Sequence, residues 1–246
     1  MTATRSGQAP GGARRAATLY AIPGSHAVRT GELMLEHKGI AFRRVNFPPG
    51  PHRVLVRVVG FKGDRVPAVK FEDGSRAQGT RELPRVLDQI VPERRLVPDD
   101  PAGLEADAWA DDVLQQWARR MVAAAGVRNP DSLAGRGADG RLGVLLTSHA
   151  LSRRVVARAV LMVFRASKAQ QRDDLERTGE ILDRVDAWID DGVLNGEELR
   201  SPDFAVASSL ALVEYIRELQ PELQRRRAIT LLDRVFSDSA AAPDPA

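Results

Sequence analysis

The sequence has no cysteine among its 246 residues. That absence excludes disulfides, a protein thiol nucleophile and cysteine-ligated metal, and leaves the cytoplasm as the default compartment. No apolar run approaches the ~18 residues that cross a bilayer, and no signal-peptide apolar core follows Met1, so no membrane partner is expected. Charge of one sign is also lacking: 36 Lys and Arg against 33 Asp and Glu leave a net +3. Aromatic residues are scarce, at 5%. No basic block with interleaved aromatics stands out, so nucleic acid is not an expected partner. The four histidines (His26, His37, His52 and His149) are scattered, without HExxH-type spacing, and no metal is expected. What is there is 43% apolar content, enough in a chain of this length to bury a sizeable core in one large domain or two smaller ones.

The stretch that organises the chain is GDRVPAVKFEDGSRAQGTRELPRVL, from Gly63 to Leu87. Ala68 to Phe71 reads as a strand, and Asp73-Gly74 as a tight turn, since glycine supplies the positive φ a hairpin needs. A second short strand follows, then a helix opened by Gly79-Thr80, where unpaired N–H groups and the helix dipole favour an anion. Pro67 has no N–H for a ladder, so it belongs at the strand's start, and a cis Val66–Pro67 bond is expected.

Before this stretch, residues 1–15 are rich in Gly, Ala, Thr and Arg and read as a disordered lead. Ala17 to Ile22 is a first strand, broken by Pro23-Gly24. Ser25 to Lys38 is a helix stopped by Lys38-Gly39, and Ala41 to Asn46 is a second strand. The resulting βαβ–ββα order is the layout of a thioredoxin-like half. Three prolines (Pro48, Pro49, Pro51) extend the following connection, within which Val54 to Val59 forms a short helix or an irregular lid.

Ser25 stands just after strand one, at the start of the first helix. Its hydroxyl either caps that helix, worth ~1 kcal/mol, or donates to a bound thiolate, whose anion the helix N-terminus favours. Tyr20 lies within the strand and is expected to pack in the core. His26 is adjacent to Ser25, and neighbouring helical residues point apart, so a Ser–His nucleophile is not expected.

Beyond Pro98 the chain turns to amphipathic helices. Gly103 to Ala125 spaces Trp109, Val113, Trp117 and Met121 four apart, a single apolar stripe. Asn129 to Gly140 is a loop, Leu142 to Phe164 a buried helix with one wet side, and Asp173 to Asp190 another helix. Ser201-Pro202-Asp203 starts the next one with a capping residue and an early proline. Ser237 to Ala246 reads as a flexible tail.

The order Tyr20-x-x-Pro23-x-Ser25, Val66-Pro67, strand four and Gly79-Thr80, followed by Val91-Pro92 and Leu96-Val97-Pro98, resembles the glutathione S-transferase family. The resemblance implies an α/β thioredoxin-like N-terminal domain (residues 16–91), a linker (92–102) and an all-helical C-terminal domain (103–236). It implies a detoxification-type transferase that joins glutathione, or a similar thiol, to an apolar electrophile. Ser25 would be the catalytic hydroxyl. The thiol peptide would pair along Val66 and Pro67, and its γ-glutamyl carboxylate would meet Thr80 and the Gly79 and Thr80 amides. Arg53 or Arg57 would face the glycine end, and Trp117 or Met121 the electrophile. Asp203 matches a structural helix cap. A homodimer is implied, with Arg85, Asp88 and Trp109 near its interface. One departure stands out: the family usually carries Glu-Ser where this chain has Gly79-Thr80, which leaves a ligand amine without its acid. Arg81 beside it could redirect the site to another anionic thiol. The alternative is a transferase-fold binding or assembly module without chemistry. Thiol-dependent reductases of this kind use an N-terminal cysteine, which is absent.

Overall fold

The computed structural model describes residues 3–5, 16–129, 141–142, 150–163 and 166–240. Its one sheet has the order β1-β3-β2-β4-β5, from β1 (Ala3–Arg5), β2 (Ala17–Ala21), β3 (Phe42–Asn46), β4 (Ala68–Phe71) and β5 (Arg76–Gln78). Strands β2 and β3 run parallel, which requires a crossover; helix α1 (His26–His37) supplies it. β4 returns antiparallel to β2, and β5 antiparallel to β4 across the turn at Gly74, whose φ is +85°. The expected strand–helix–strand–hairpin order is therefore present. One correction concerns the lead: Ala3–Arg5 pairs antiparallel with β3 and extends the sheet, so that part of residues 1–15 is not disordered. Residues 6–15 lie outside the described residues.

The alternation along β2 sets its two faces. Ala17, Leu19 and Ala21 are buried in the main core. Tyr20 points the other way, stacked on Phe47 at 5.5 Å and edge-on to Phe61 at 5.8 Å. That second cluster lies beneath α2 (His52–Val58), the short helix of the proline-rich connection. Tyr20 is a packing residue, as its place in the strand implied.

Helix α3 (Leu83–Ile90) begins later than expected. Residues 79–82 form a turn first, and Pro84 then sits in the helix's opening positions, where its missing N–H costs nothing. The chain leaves α3 through a buried cation. The Lys38 ammonium, with a fully buried side chain, pairs with Asp88 at 2.7 Å and donates to the Val91 and Glu93 carbonyls, each at 2.7 Å. Asp88 accepts from the Leu96 and Val97 amides, both at 2.9 Å. Asp88 is thus committed to anchoring the linker within its own chain.

The helical half opens with α4 (Pro101–Trp109), capped by Asp100, which accepts from the Gly103 amide at 2.8 Å. A π-helical turn (Ala110–Leu114) follows and leads into α5 (Gln115–Arg128). This turn changes the expected apolar stripe. Residues four apart drift by about 40° around a 3.6-residue helix, and the wider π turn re-aims the segment before it. Ala106, Ala110, Leu114, Trp117 and Met121 therefore face the core, while Trp109 and Val113 are only half-buried. Trp109 instead meets Trp188 edge-on at 5.1 Å, with Arg184 over both rings.

The remaining helices are α6 (Ala150–Val163), α7 (Lys168–Glu176), α8 (Thr178–Asp190), α9 (Ser201–Val213), α10 (Gln220–Gln224) and α11 (Ala228–Ala240). All thirteen residues of α9 are buried, in keeping with a mostly apolar sequence whose Asp203, Ser208 and Ser209 also lie inside. It packs against α1, α5 and α11, joining both halves in one continuous core. Two expectations need correction. Helix α6 is not a buried helix: Val155, Met162 and Val163 are exposed, and it rests on α5. Residues 237–240 belong to α11 rather than to a flexible tail. The loop expected at 129–140, apart from Asn129, and residues 241–246 lie outside the described residues.

Candidate functional site

Ser25 is the N-cap of α1, in extended conformation, and its Oγ accepts the Val28 N–H at 3.4 Å. Acceptance uses the oxygen and leaves the hydroxyl proton available to a neighbouring anion. The side chain is half-buried. Cap and donor are therefore compatible in one atom.

The Val66–Pro67 bond is cis, as expected from the sequence. Pro67 lies directly on α1: a Cβ added at Gly31 would come within 3.1 Å of the Pro67 Cβ and Cγ, and 3.2 Å of Leu83 Cδ2. Gly31 thus permits the close approach that sets the proline edge beside the helix carrying Ser25. In the sequence it showed only as a glycine inside a helix, a placement that costs ~1 kcal/mol unless packing needs it. Among the described residues, the Val66 N–H and C=O enter no backbone pair outside regular structure.

The Gly79-Thr80 corner differs from expectation. The Gly79 N–H donates to the Pro67 carbonyl at 2.8 Å, continuing the β4–β5 pairing, and is not free for a ligand. Its positive φ, +84°, turns the chain toward α3. The Thr80 hydroxyl donates to Asp111 Oδ1 at 2.7 Å, reaching across to the π turn. Gln115 donates from Nε2 to the same Asp111 oxygen, and lies 3.4 Å from Thr80 Oγ1. Arg81 is clasped by two carboxylates, Asp111 Oδ2 at 3.0 Å and Asp112 Oδ1 at 2.6 Å. These hydrogen bonds, Asp112's first, hold its guanidinium in the charged form.

Asp111, Gln115 and Arg119 form a polar row along the long helix, each one turn on from the last. Arg119 donates to Gln115 Oε1 at 2.6 Å. Burial pulls its pKa down to about 10, with Asp111 acting in the opposite direction. Arg119 in turn lowers the pKa of His26, although burial is the larger cause. His26 is therefore neutral near pH 7, and its Nε2 is buried without a hydrogen-bond partner among the described residues. The row escaped the sequence reading because apolar periodicity drew attention to the opposite face of the same helix.

Arg53 and Arg57 lie on α2, each 3.9 Å from Asp64 Oδ2, beside the loop into Val66. Both are exposed, and such pairs are worth little. Trp117 is buried, and its indole N–H donates to the Asp174 carbonyl at 2.9 Å. Met121 is also buried, so neither forms an open wall. Among the described residues there is no group of three or more potential metal ligands, and no helix is long and apolar enough to cross a membrane.

No family model and no curated protein matches the sequence. Solved structures match the fold across nearly the whole chain. A glutathione transferase from Phanerochaete chrysosporium superposes with a TM-score of 0.63 at 12% identity, covering 92% of this chain and 98% of that one. A glutathione S-transferase of Ceriporiopsis subvermispora, in complex with glutathione, gives 0.59 at 12%, covering 93% and 99%. Another from Methylobacillus flagellatus KT, with glutathione bound, gives 0.58 at 17%, covering 92% and 99%. The chain has the glutathione S-transferase fold. Its sheet and helices α1–α3 form the thioredoxin-like part of that fold, and α4 onward the helical part. Within it, Thr80 meets Asp111 and Gln115 of the helical part, and Pro67 packs on α1, the helix that Ser25 caps.

Proposed function

We propose that this chain binds glutathione, or a similar low-molecular-weight thiol, and joins its sulfur to an apolar electrophile. The observation that carries the reading is Ser25: a half-buried hydroxyl with a proton to give, at the positive end of a twelve-residue helix against which the cis proline packs at Gly31. The thiol's backbone pairs along Val66 and Pro67, and its γ-glutamyl carboxylate meets the Thr80 N–H at the Gly79 turn. Arg53 stands toward its glycine end. The thiol proton leaves to solvent, and Ser25 donates to the remaining thiolate. The sulfur then forms a bond to the electrophilic carbon, whose leaving group departs with the electron pair. The gain comes from a thiolate held ready and in place. The solved transferases crystallised with glutathione support this choice of thiol. The proposal includes residues 16–91 as the thiol domain, 103–236 as the electrophile domain, and a cytoplasmic homodimer paired near Arg85, Asp88 and Trp109.

A second reading, a binding or assembly module without chemistry, draws on the Gly79-Thr80 corner. Its Gly79 N–H and Thr80 hydroxyl already have internal partners. Ser25→Ala separates the two. For the enzyme, the bound thiol's pKa rises and conjugation with a chromogenic electrophile falls at least several-fold, while thiol affinity changes little. Equal activity per folded molecule in wild type, Ser25→Ala and Ser25→Thr would remove the catalytic assignment and leave only a cap, worth ~1 kcal/mol.

A further inference from the structure

Helix α6 rests on α5 with Ala157 buried, and leaves a continuous face uncovered. At about 100° per residue, Arg154, Arg158, Met162, Val155, Ala159 and Val163 follow one another around about half of the helix, and all six are exposed. Val155, Met162 and Val163 are 59%, 73% and 61% exposed. A single exposed apolar residue means little, but a grouped set marks a surface that meets something. The face is apolar along its middle and basic along one edge. From Ala150 to Arg172 the chain carries five arginines and one lysine, with no Asp or Glu. The whole chain has a net charge of only +3, so the remainder is net negative and the positive charge is concentrated here. Among the described residues, Arg154, Arg158, Lys168 and Arg172 have no carboxylate partner.

We propose that α6 docks this chain on an anionic membrane surface, with Arg154 and Arg158 against lipid phosphates and Val155, Met162 and Val163 entering the headgroup layer. A helix of this kind lies in the plane of the interface, held by buried apolar area together with attraction to anionic lipid. No helix among the described residues is long and apolar enough to cross a membrane, and a surface contact requires none. A second copy is the poorer occupant. Packing α6 on α6 would gather basic side chains from both copies, with no acid in the stretch to offset them. A protein partner is also poorly matched. The six exposed residues include no aromatic anchor, and arginine is their one hydrogen-bonding type, whereas protein interfaces draw on aromatic anchors and varied polar contacts. A lipid surface asks only for positive charge beside apolar side chains. The contact is independent of the thiol reading, because α6 carries none of the residues assigned to the thiol.

The test is cosedimentation of the full chain with vesicles of phosphatidylcholine alone, or of phosphatidylcholine with about one-third phosphatidylserine. Wild type is expected to bind the anionic vesicles about tenfold more tightly or better, and to leave them at about 0.5 M salt. Arg154→Gln combined with Arg158→Gln should weaken that binding about tenfold, and Met162→Gln should weaken it separately. All three positions are exposed, so both variants should keep the wild-type melting temperature. No binding to anionic vesicles, or equal binding to the two kinds, overturns the proposal. Full binding by either variant also overturns it, because another surface then makes the contact. Competition by soluble glycerophosphoserine would mean a headgroup pocket and not a docking face, and contradicts it too. If Met162→Gln instead turns a dimer into a monomer in sedimentation, the face belongs to a second copy and the membrane assignment falls.

Discussion

Replacing Arg120 with methionine is expected to lower the unfolding free energy by about 3–5 kcal/mol, the usual cost of breaking a buried ion pair from one side. Arg120 grips Asp174 with two bonds, Nε to Oδ2 at 2.6 Å and Nη2 to Oδ1 at 2.7 Å. The Asp174 side chain is only 2% exposed. Without the guanidinium that carboxylate keeps, among the described residues, the Gln170 amide, 3.2 Å from Oδ1. The pair also fixes the contact between α5 and α7, since the Trp117 indole and the Thr178 hydroxyl both donate to the Asp174 carbonyl. Urea unfolding reads the loss directly. Replacing both partners with apolar residues should recover much of it, because no buried charge is then stranded. A loss below about 1 kcal/mol in Arg120→Met would mean that water reaches Asp174 and the pair is not structural.

Asp203→Ala is expected to cost about 2–4 kcal/mol at pH 7, from two part-buried N–H groups left unpaired. The carboxylate accepts from the Asn195 amide at 2.6 Å and the Arg200 amide at 2.7 Å. It therefore fixes the start of α9, the helix on which both halves pack. Its titration gives a second reading. Burial pushes the Asp203 carboxyl up to about 6, against ~3.9 in an unfolded chain. The folded state thus keeps a proton that the unfolded state loses, and stability from this group is complete below about pH 4 and is lost as pH rises through 6. The stability of wild type relative to Asp203→Asn should therefore fall between pH 4 and 7, by roughly 3 kcal/mol at most. A difference that stays flat over that range would contradict the raised value.

Those residues also show how far the sequence could be read. The start of α9 was legible because an early proline announces it within a few residues, whereas the place of Asp203 in it came from the family resemblance. The Asp73-Gly74 hairpin was legible for a similar reason, since its φ requirement is local. Ser25 could be placed, but its two roles share one atom, and local pattern cannot separate them. What was not legible depends on distance or on a shifted helical phase. Thr80 and Asp111 meet across the two halves. A single π turn moved the core face from Trp109 and Val113 to Ala110 and Leu114. Gly31 has its reason in Pro67, which lies on another element. Asp88 resembled a surface acid on α3 because nothing in its neighbours announces Lys38, fifty residues earlier, as its buried partner. The exposed Val155, Met162 and Val163 on α6 follow the same lesson: apolar spacing marks a face without saying whether the chain itself covers it.

The central claim is that a thiol peptide lies along the Val66–Pro67 edge with its sulfur at Ser25. Titrating glutathione into the isotope-labelled chain and following backbone amide resonances tests it most directly. The account predicts saturable shifts centred on the amides of Ser25, Val66 and Thr80, with weaker ones at Asp111 and Gln115. The polar groove of about 470 Å³ between Pro98, Asp191, Glu197 and Arg200 should be silent. Shifts confined to that groove, or none at millimolar glutathione, would contradict it.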